Sequence, residues 1–321
     1  MLTKDNKTLK GAVPTATPYR MLCSAELQKS LEATTGVVLT HSRFTPLHKT
    51  RYGVASRPQE IASGVYCLEV GKGIMRSNVY FVRSGSSWVL IDTGSTGCDR
   101  EIREAAEFLF GSDTLPSAIL LTHDHPDHAG STPALARTWG CAVYVHPDEL
   151  TLVNADFSNF FSIVKGYANP LDTWVILPLM RLMPRRHEAM LSASSFKEAA
   201  RAFDPGTSVP GLPDWECIHT PGHSSGHVSF FRSGDRVLIT GDAVLTVHLN
   251  SLWSFLRWGL GRNKQQLSGP PWYTTWNWRA AKQSVATLAR LEPRVLACGH
   301  GLPMSGTDIA PELHAFADHF R

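Results

Sequence analysis

The sequence predicts an α/β fold, a four-layer αβ/βα sandwich in which two mixed β-sheets lie face to face with helices outside. Three observations carry this prediction. Apolar runs of strand length are followed by helix-length amphipathic segments, the succession recurs in both halves, and four of the runs end on metal-ligating residue types. A length of 321 residues suggests about two domains on length alone, yet large α/β enzymes reach this size as one. We read one domain with inserts.

The elements follow in order. Residues 1–60 form a mixed N-terminal extension, with a helix expected over Ser24 to Ala33 and otherwise threonine, proline and charge. The main domain spans about 61–306. Strands are expected over Val65 to Val70, Val79 to Arg83 and Trp88 to Ile91, and a helix over Asp99 to Phe110, where Ile102, Ala105, Ala106 and Leu109 recur at helical spacing. A strand at 118–121, a helix over Thr132 to Thr138 and a strand over Ala142 to Val145 complete the first half. Beyond an insert at about 150–213 come strands at 214–219, 227–232 and 236–240. A second insert covers about 244–273, before a helix over Trp276 to Leu291, a strand at 294–298 and a C-terminal helix in 307–321.

The chemistry gathers at strand ends. His123, His125, Asp127 and His128 crowd into six positions directly after the run Ala118-Ile119-Leu120-Leu121. A strand ending there delivers them to a loop at the sheet edge, where they can converge on a cation instead of alternating across two faces. Downstream, His223, Asp242 and His300 each follow another apolar run and each stand beside glycine. Glycine has no Cβ to keep the backbone away from a bound ion. Nitrogen and oxygen donors without thiolate suit zinc, and also manganese or iron.

In this order the residues His-x-His-x-Asp-His, then His, Asp and His, resemble the pattern of the metallo-β-lactamase-fold hydrolase superfamily. The resemblance runs from about residue 60 to 306 and includes Ile91-Asp92-Thr93-Gly94, which in that family closes a strand beneath the metals. It implies two zinc ions per chain, with manganese or iron as alternatives. His123, His125 and His223 would hold one, Asp127, His128 and His300 the other, and Asp242 would bridge. Two cations ~3.5–4 Å apart would share a hydroxide that serves as the nucleophile, so no side-chain nucleophile is required. Asp92 and His227 are expected to orient the ligating imidazoles, with Asp124 and Ser224 as further neighbours. Asp127 and Asp242 are the expected catalytic carboxylates, Asp127 carrying a proton to the leaving group.

Departures narrow the chemistry within the resemblance. His125 stands where the diiron flavoproteins of this fold carry glutamate, and Asp242 supplies a bridging carboxylate that the dedicated β-lactamases lack. Thr220-Pro221-Gly222-His223-Ser224-Ser225-Gly226-His227 is similar to the glyoxalase II and lactonase version. The expected activity is cleavage of an ester or lactone bond in a partly hydrophobic small molecule. The alternatives are a glyoxalase II-like thioesterase, a phosphodiesterase, a promiscuous β-lactamase or a metal-free scaffold.

The inserts speak to the substrate. The first carries Phe157, Phe160, Phe161, Tyr167 and Trp174; the second carries Trp253, Trp258, Trp272 and Tyr273. Aromatic-rich connections beside a ligand form pocket walls, a homodimer interface or ordinary packing, and we expect the wall, with Trp253, Trp258 and Tyr273 as substrate contacts. For Tyr273, aromatic packing competes with donation to an oxyanion. Arg257, Arg262 and Lys264 would be the cations for a glutathione thioester.

Composition excludes other classes. Hydrophobic residues at 43% and charged residues at 18% support a sizeable core, and neither insert is a clean bilayer span, so no membrane insertion is expected. A formal charge of +3 gives no reason to expect nucleic acid, and Arg181, Arg185 and Arg186 read as a solvated face. The six cysteines include no Cys-x-x-Cys pair, so neither a disulfide framework nor a thiolate zinc site is expected. No secretory signal is visible in the first thirty residues, which makes a cytoplasmic location the default. His41, His48, His314 and His319 fall outside the pattern and read as surface histidines.

Overall fold

The computed structural model describes residues 57–153, 170, 196–261 and 264–320. The expected helix at Ser24 to Ala33, the aromatic residues at 157–174, the basic spot at 181–186 and Arg262 lie outside the described residues.

Among the described residues the strands form two sheets. The first contains β1 (Gln59–Ala62), β2 (Val65–Val70), β3 (Ser77–Ser84), β4 (Ser87–Ile91), β5 (Ala118–Leu120), β6 (Val143–Val145) and β7 (Ala200–Ala202), in that spatial order. It is antiparallel from β1 to β4 and parallel from β4 to β7. The second sheet contains β8 (Glu216–His219), β9 (Val228–Arg232), β10 (Val237–Gly241), β11 (Val295–Cys298) and β12 (Met304–Ser305), with β10 and β11 parallel and the other neighbours antiparallel. Sequence reading missed β1, β7 and β12, which are short and carry few buried residues.

Alternation along the strands explains the layers. Tyr80, Val82, Val89, Ile91, Ala118 and Leu120 point into a core shared with Cys217, Val228, Phe230, Val237 and Ile239 of the second sheet. Their sequence neighbours Val79, Phe81, Trp88, Leu90 and Ile119 point the other way, onto helices α1 (Asp99–Phe110) and α3 (Thr132–Trp139). Both faces are covered, so these strands read as unbroken apolar runs. On the outer face of the second sheet, Phe231, Leu238 and Leu296 pack with Val285 and Leu288 of α6 (Trp278–Ala289) and Leu313 of α7 (Ile309–His319). The result is the expected helix, sheet, sheet, helix sandwich.

Two shorter helices and one amphipathic helix concern the site. Helix α2 (Pro126–Ala129) follows β5, α4 (Pro147–Val153) follows β6, and α5 (Leu252–Gly259) lies in the connection after β10. The α5 N-terminus is capped by Ser251, whose side chain accepts from Ser254 N. Among the described residues, no helix is long and apolar enough to cross a membrane.

Parallel pairing positions the chemistry. Strands β4 and β5 run side by side, as do β10 and β11, so the C-terminal ends of each pair open onto shared loops. Hydrogen bonds between the sheets tie those ends together: Asn78 N donates to Gly299 O (2.8 Å), Tyr80 Oη to Cys298 O (2.6 Å) and Val228 N to Thr122 O (2.9 Å).

Candidate metal centre

All seven expected ligand residues meet. His123, His125 and His223 present ligand atoms within 4.8 Å of one another, as do His123, His128 and Asp242, and Asp127, His128 and His300. Asp242 joins the sets: its Oδ1 lies 3.4 Å from His128 Nε2, and its Oδ2 lies 3.4 Å from both His223 Nε2 and His300 Nε2. His300 Nε2 is also 3.3 Å from Asp127 Oδ2. A fourth group, His146, Asp148 and His219, shares no residue with this cluster and has its last two members exposed.

The surrounding hydrogen bonds fix which atom the His123, His128 and His300 rings turn inward. Asp92, at the end of β4 with a left-handed φ of 59°, accepts from Thr122 N (2.8 Å), Thr122 Oγ1 (2.8 Å) and His128 Nδ1 (2.9 Å). Because the Thr122 hydroxyl donates to Asp92, its lone pair receives His123 Nδ1 at 3.0 Å, leaving His123 Nε2 as an acceptor. His300 Nδ1 donates to Arg76 O at 2.7 Å, which turns Nε2 toward the carboxylates. His227 acts on the backbone instead of a ring: its Nε2 accepts from Asp242 N at 2.9 Å, and its Nδ1 donates to Thr220 Oγ1 at 2.8 Å. Burial holds the His227 imidazole down to about 3, so it remains the neutral acceptor that this contact needs.

Several buried polar atoms of the cluster have no hydrogen-bond partner among the described residues. His123 Nε2, both ring nitrogens of His223 and Asp242 Oδ1 are buried without a hydrogen bond. Leaving a buried polar group unpaired costs about 1–3 kcal/mol each, and the cost is larger for a charged one. Lone pairs and a carboxylate oxygen pointing at common space are the donor set of a divalent cation, so these residues fit a metal.

Electrostatics divides the histidines. Burial and the adjoining imidazoles push His123 and His223 well below the ordinary value. Burial also opposes a charge on His128 and His300, but Asp242 and Asp127 override it, raising His128 well above its ordinary value and His300 to about 10. Asp242 and Asp127 are correspondingly held low despite burial, by His300 and His128. In the metal-free protein these protons stand where a cation's charge would stand. Metal loading near pH 8 is therefore expected to release protons, read as a dependence of calorimetric heat on the buffer's ionisation enthalpy. The metal-free protein carries a further signature. His300 is raised from 6.5 to about 10, so its stabilising contribution is complete below pH 6.5 and lost as pH rises toward 10. The melting temperature of the chelated protein should fall across that window while that of the loaded protein holds; equal slopes would refute the ion-pair account.

The residues expected to touch substrate are placed differently. Trp258 is buried, packs edge-on to the His300 ring at 5.9 Å, and has the Arg76 guanidinium 4.1 Å from its ring centre. Tyr273 is half-buried in a turn of 3-10 helix and meets Phe255 edge-on at 5.9 Å. Burial, then the charges of Asp242 and Asp127, raise its hydroxyl above the ordinary value. Trp253 is 77% exposed. Sequence reading missed Glu149 of α4, a carboxylate only 1% exposed that accepts from Asp124 N, Ser224 Oγ and Gly226 N.

Comparison with known proteins identifies the family. The profile of the metallo-β-lactamase superfamily matches residues 73–300. The chain belongs to the metallo-β-lactamase superfamily. Within it, the chain is 35% identical over 281 residues to a probable metallo-hydrolase, YflN, of Bacillus subtilis strain 168, covering 86% of this chain and 97% of that one. The family fold is also seen in the metallo-beta-lactamase family protein TTHA1429 from Thermus thermophilus, with a TM-score of 0.54 at 20% identity, covering 81% of this chain and 80% of that one. A beta-lactamase domain protein from Burkholderia ambifaria has a TM-score of 0.53 at 19% identity, over 85% and 80% of the two chains. As a superfamily member, this chain is a metallo-hydrolase whose His and Asp clusters suit divalent metals.

Proposed function

We propose that the protein is a binuclear hydrolase that cleaves an ester or lactone bond in a small molecule with a hydrophobic portion. The observation that carries this reading is the Asp242 carboxylate, in contact with His128, His223 and His300 through its two oxygens. His123, His125 and His223 would hold one cation, Asp127, His128 and His300 the other, and Asp242 both; zinc is the first choice, with manganese or iron as alternatives. Bound cations supply Lewis acidity and lower the pKa of water toward 7, so the protein needs no nucleophile of its own.

The chain's own residues supply orientation and protons. Asp127 is 22% exposed, in contact with His300 on one side and solvent on the other, and it is suited to pass a proton to the departing alkoxide. Tyr273 keeps its hydroxyl proton and is suited to donate it in a hydrogen bond to a developing oxyanion. The α5 helix is anchored against His300 through Trp258, and its Leu252, Trp253 and Leu256 are exposed. An apolar helix in contact with a ligand residue suits an acyl chain better than the anionic arms of a glutathione thioester.

A matched panel tests the reading. Zinc- and manganese-loaded protein would be given long- and short-chain acyl lactones, aryl esters, S-lactoylglutathione, a phosphodiester and a β-lactam. Long-chain lactones or esters are expected to have the highest kcat/KM, and Tyr273→Phe is expected to lower kcat by about 10–100-fold with little change in KM. Preference for the phosphodiester or the glutathione thioester would overturn the substrate assignment.

A further inference from the structure

We infer that Glu149 is a positioning residue that sets the affinity of one metal position, the one formed by His123, His125 and His223. The inference rests on the binuclear reading above and assigns a role to a residue outside the ligand pattern.

The geometry is selective. Glu149 Oε2 accepts from the backbone N–H of Asp124 at 3.0 Å, and Asp124 lies between His123 and His125 in the chain. Glu149 Oε1 accepts from the Ser224 hydroxyl at 2.6 Å and from Gly226 N at 2.7 Å, in the loop that begins with His223. One buried carboxylate thus ties together the two loops that supply all three imidazoles of one set. The fit is close on the far side too, since a Cβ on Gly226 would come within 2.8 Å of Glu149 Cγ.

The other set is held by different groups. His128 is oriented by Asp92, His300 by Arg76 O, and the Asp127 carbonyl accepts from Ser77 Oγ at 2.5 Å. None of these contacts involves Glu149. A carboxylate accepting three hydrogen bonds resists displacement, because breaking any one leaves a buried charge undersatisfied. Loosening it should let the His123–His125 loop and the His223 loop drift apart while the second set stays intact.

Glu149→Gln separates these ends. The amide keeps one oxygen for Ser224 and Gly226 but presents N–H donors to Asp124 N, so the tether to the first loop is lost and the helix remains. Purified wild type and variant would be dialysed against graded chelator, zinc counted per chain, and cobalt(II) titrated while its visible absorption is followed. Wild type is expected to hold two equivalents. The variant should hold one with unchanged affinity and bind the other about 10–100-fold more weakly. Ser77→Ala, which frees the Asp127 carbonyl, should show the reverse pattern, loosening the position that contains Asp127 and His128. If Glu149→Gln fails to fold, Ser224→Ala removes one of the three bonds without touching α4 and should weaken the same position by a smaller factor. Equal weakening of both positions, or none, would overturn the inference. A wild type that binds fewer than two equivalents would instead overturn the binuclear reading on which it depends.

Discussion

Asp242→Ala is expected to lower metal content and turnover together. The carboxylate contacts imidazoles from both ligand sets, so its loss removes a donor from each prospective metal position and the negative charge that balances them. Loss of an outer partner of a ligand typically costs about 10–100-fold in metal affinity or activity, and loss of a shared ligand should exceed that range. A second effect follows from electrostatics. Asp242 is the leading cause that raises His128 and His300, so alanine should lower both and flatten the loss of metal-free stability between pH 6.5 and 10. Asp242→Asn makes the steric control, retaining the shape and one oxygen but not the charge. Zinc per chain, turnover on the preferred ester or lactone and circular dichroism would be measured on all three proteins. Alanine with two metals and full rate would remove Asp242 from the bridging role. A folded, metal-poor, inactive variant is the expected outcome.

What sequence could and could not reveal follows from how each feature is encoded. His123, His125, Asp127 and His128 were legible because four ligand types in six positions at a strand end have little other use. His223, Asp242 and His300 were legible through their place after apolar runs, and Asp92 through the resemblance. The long strands stood out because both faces are buried. Strand β7 did not: it is three residues, Ala200, Arg201 and Ala202, with only the first buried, and its place beside β6 is set by tertiary pairing. Arg76 was invisible because it acts on His300 through its carbonyl, a group every residue carries. Glu149 was hidden differently. In Pro147-Asp148-Glu149 it reads as the acidic first turn of a helix, and only the folded chain shows that it is buried against two ligand loops. The aromatic second insert gave no sign that Trp258 and Trp253 would part company, one against His300 and the other in solvent.

Gly299→Ala is expected to abolish metal binding at the shared ligand while leaving the sandwich folded. Gly299 joins β11 to His300, its N–H donates to Gly241 O at 2.8 Å, and its carbonyl accepts from Asn78 N at 2.8 Å. Its backbone has no left-handed φ, so alanine introduces no conformational strain there. Space alone decides the outcome. A methyl at this position would overlap Asp242 Oδ1 and stand 2.6 Å from His128 Cε1. Both neighbours are buried and hydrogen-bonded elsewhere: Asp242 through its N–H to His227, His128 through Nδ1 to Asp92. Relief by rotating Asp242 turns the carboxylate out of the cluster, and relief by shifting the backbone breaks the bonds from Gly299 to Gly241 and Asn78, at about 0.5–1.5 kcal/mol each. The first route costs Asp242 its contacts with His128 and His300 but leaves the strand ends in place. The variant should therefore keep its far-ultraviolet spectrum, bind at most one of two zinc equivalents, and lose at least ~100-fold in turnover. Gly299→Ser should fail in the same way, because the obstruction is the Cβ itself. Retention of two metals by either variant would show that the shared carboxylate has more freedom than its contacts allow.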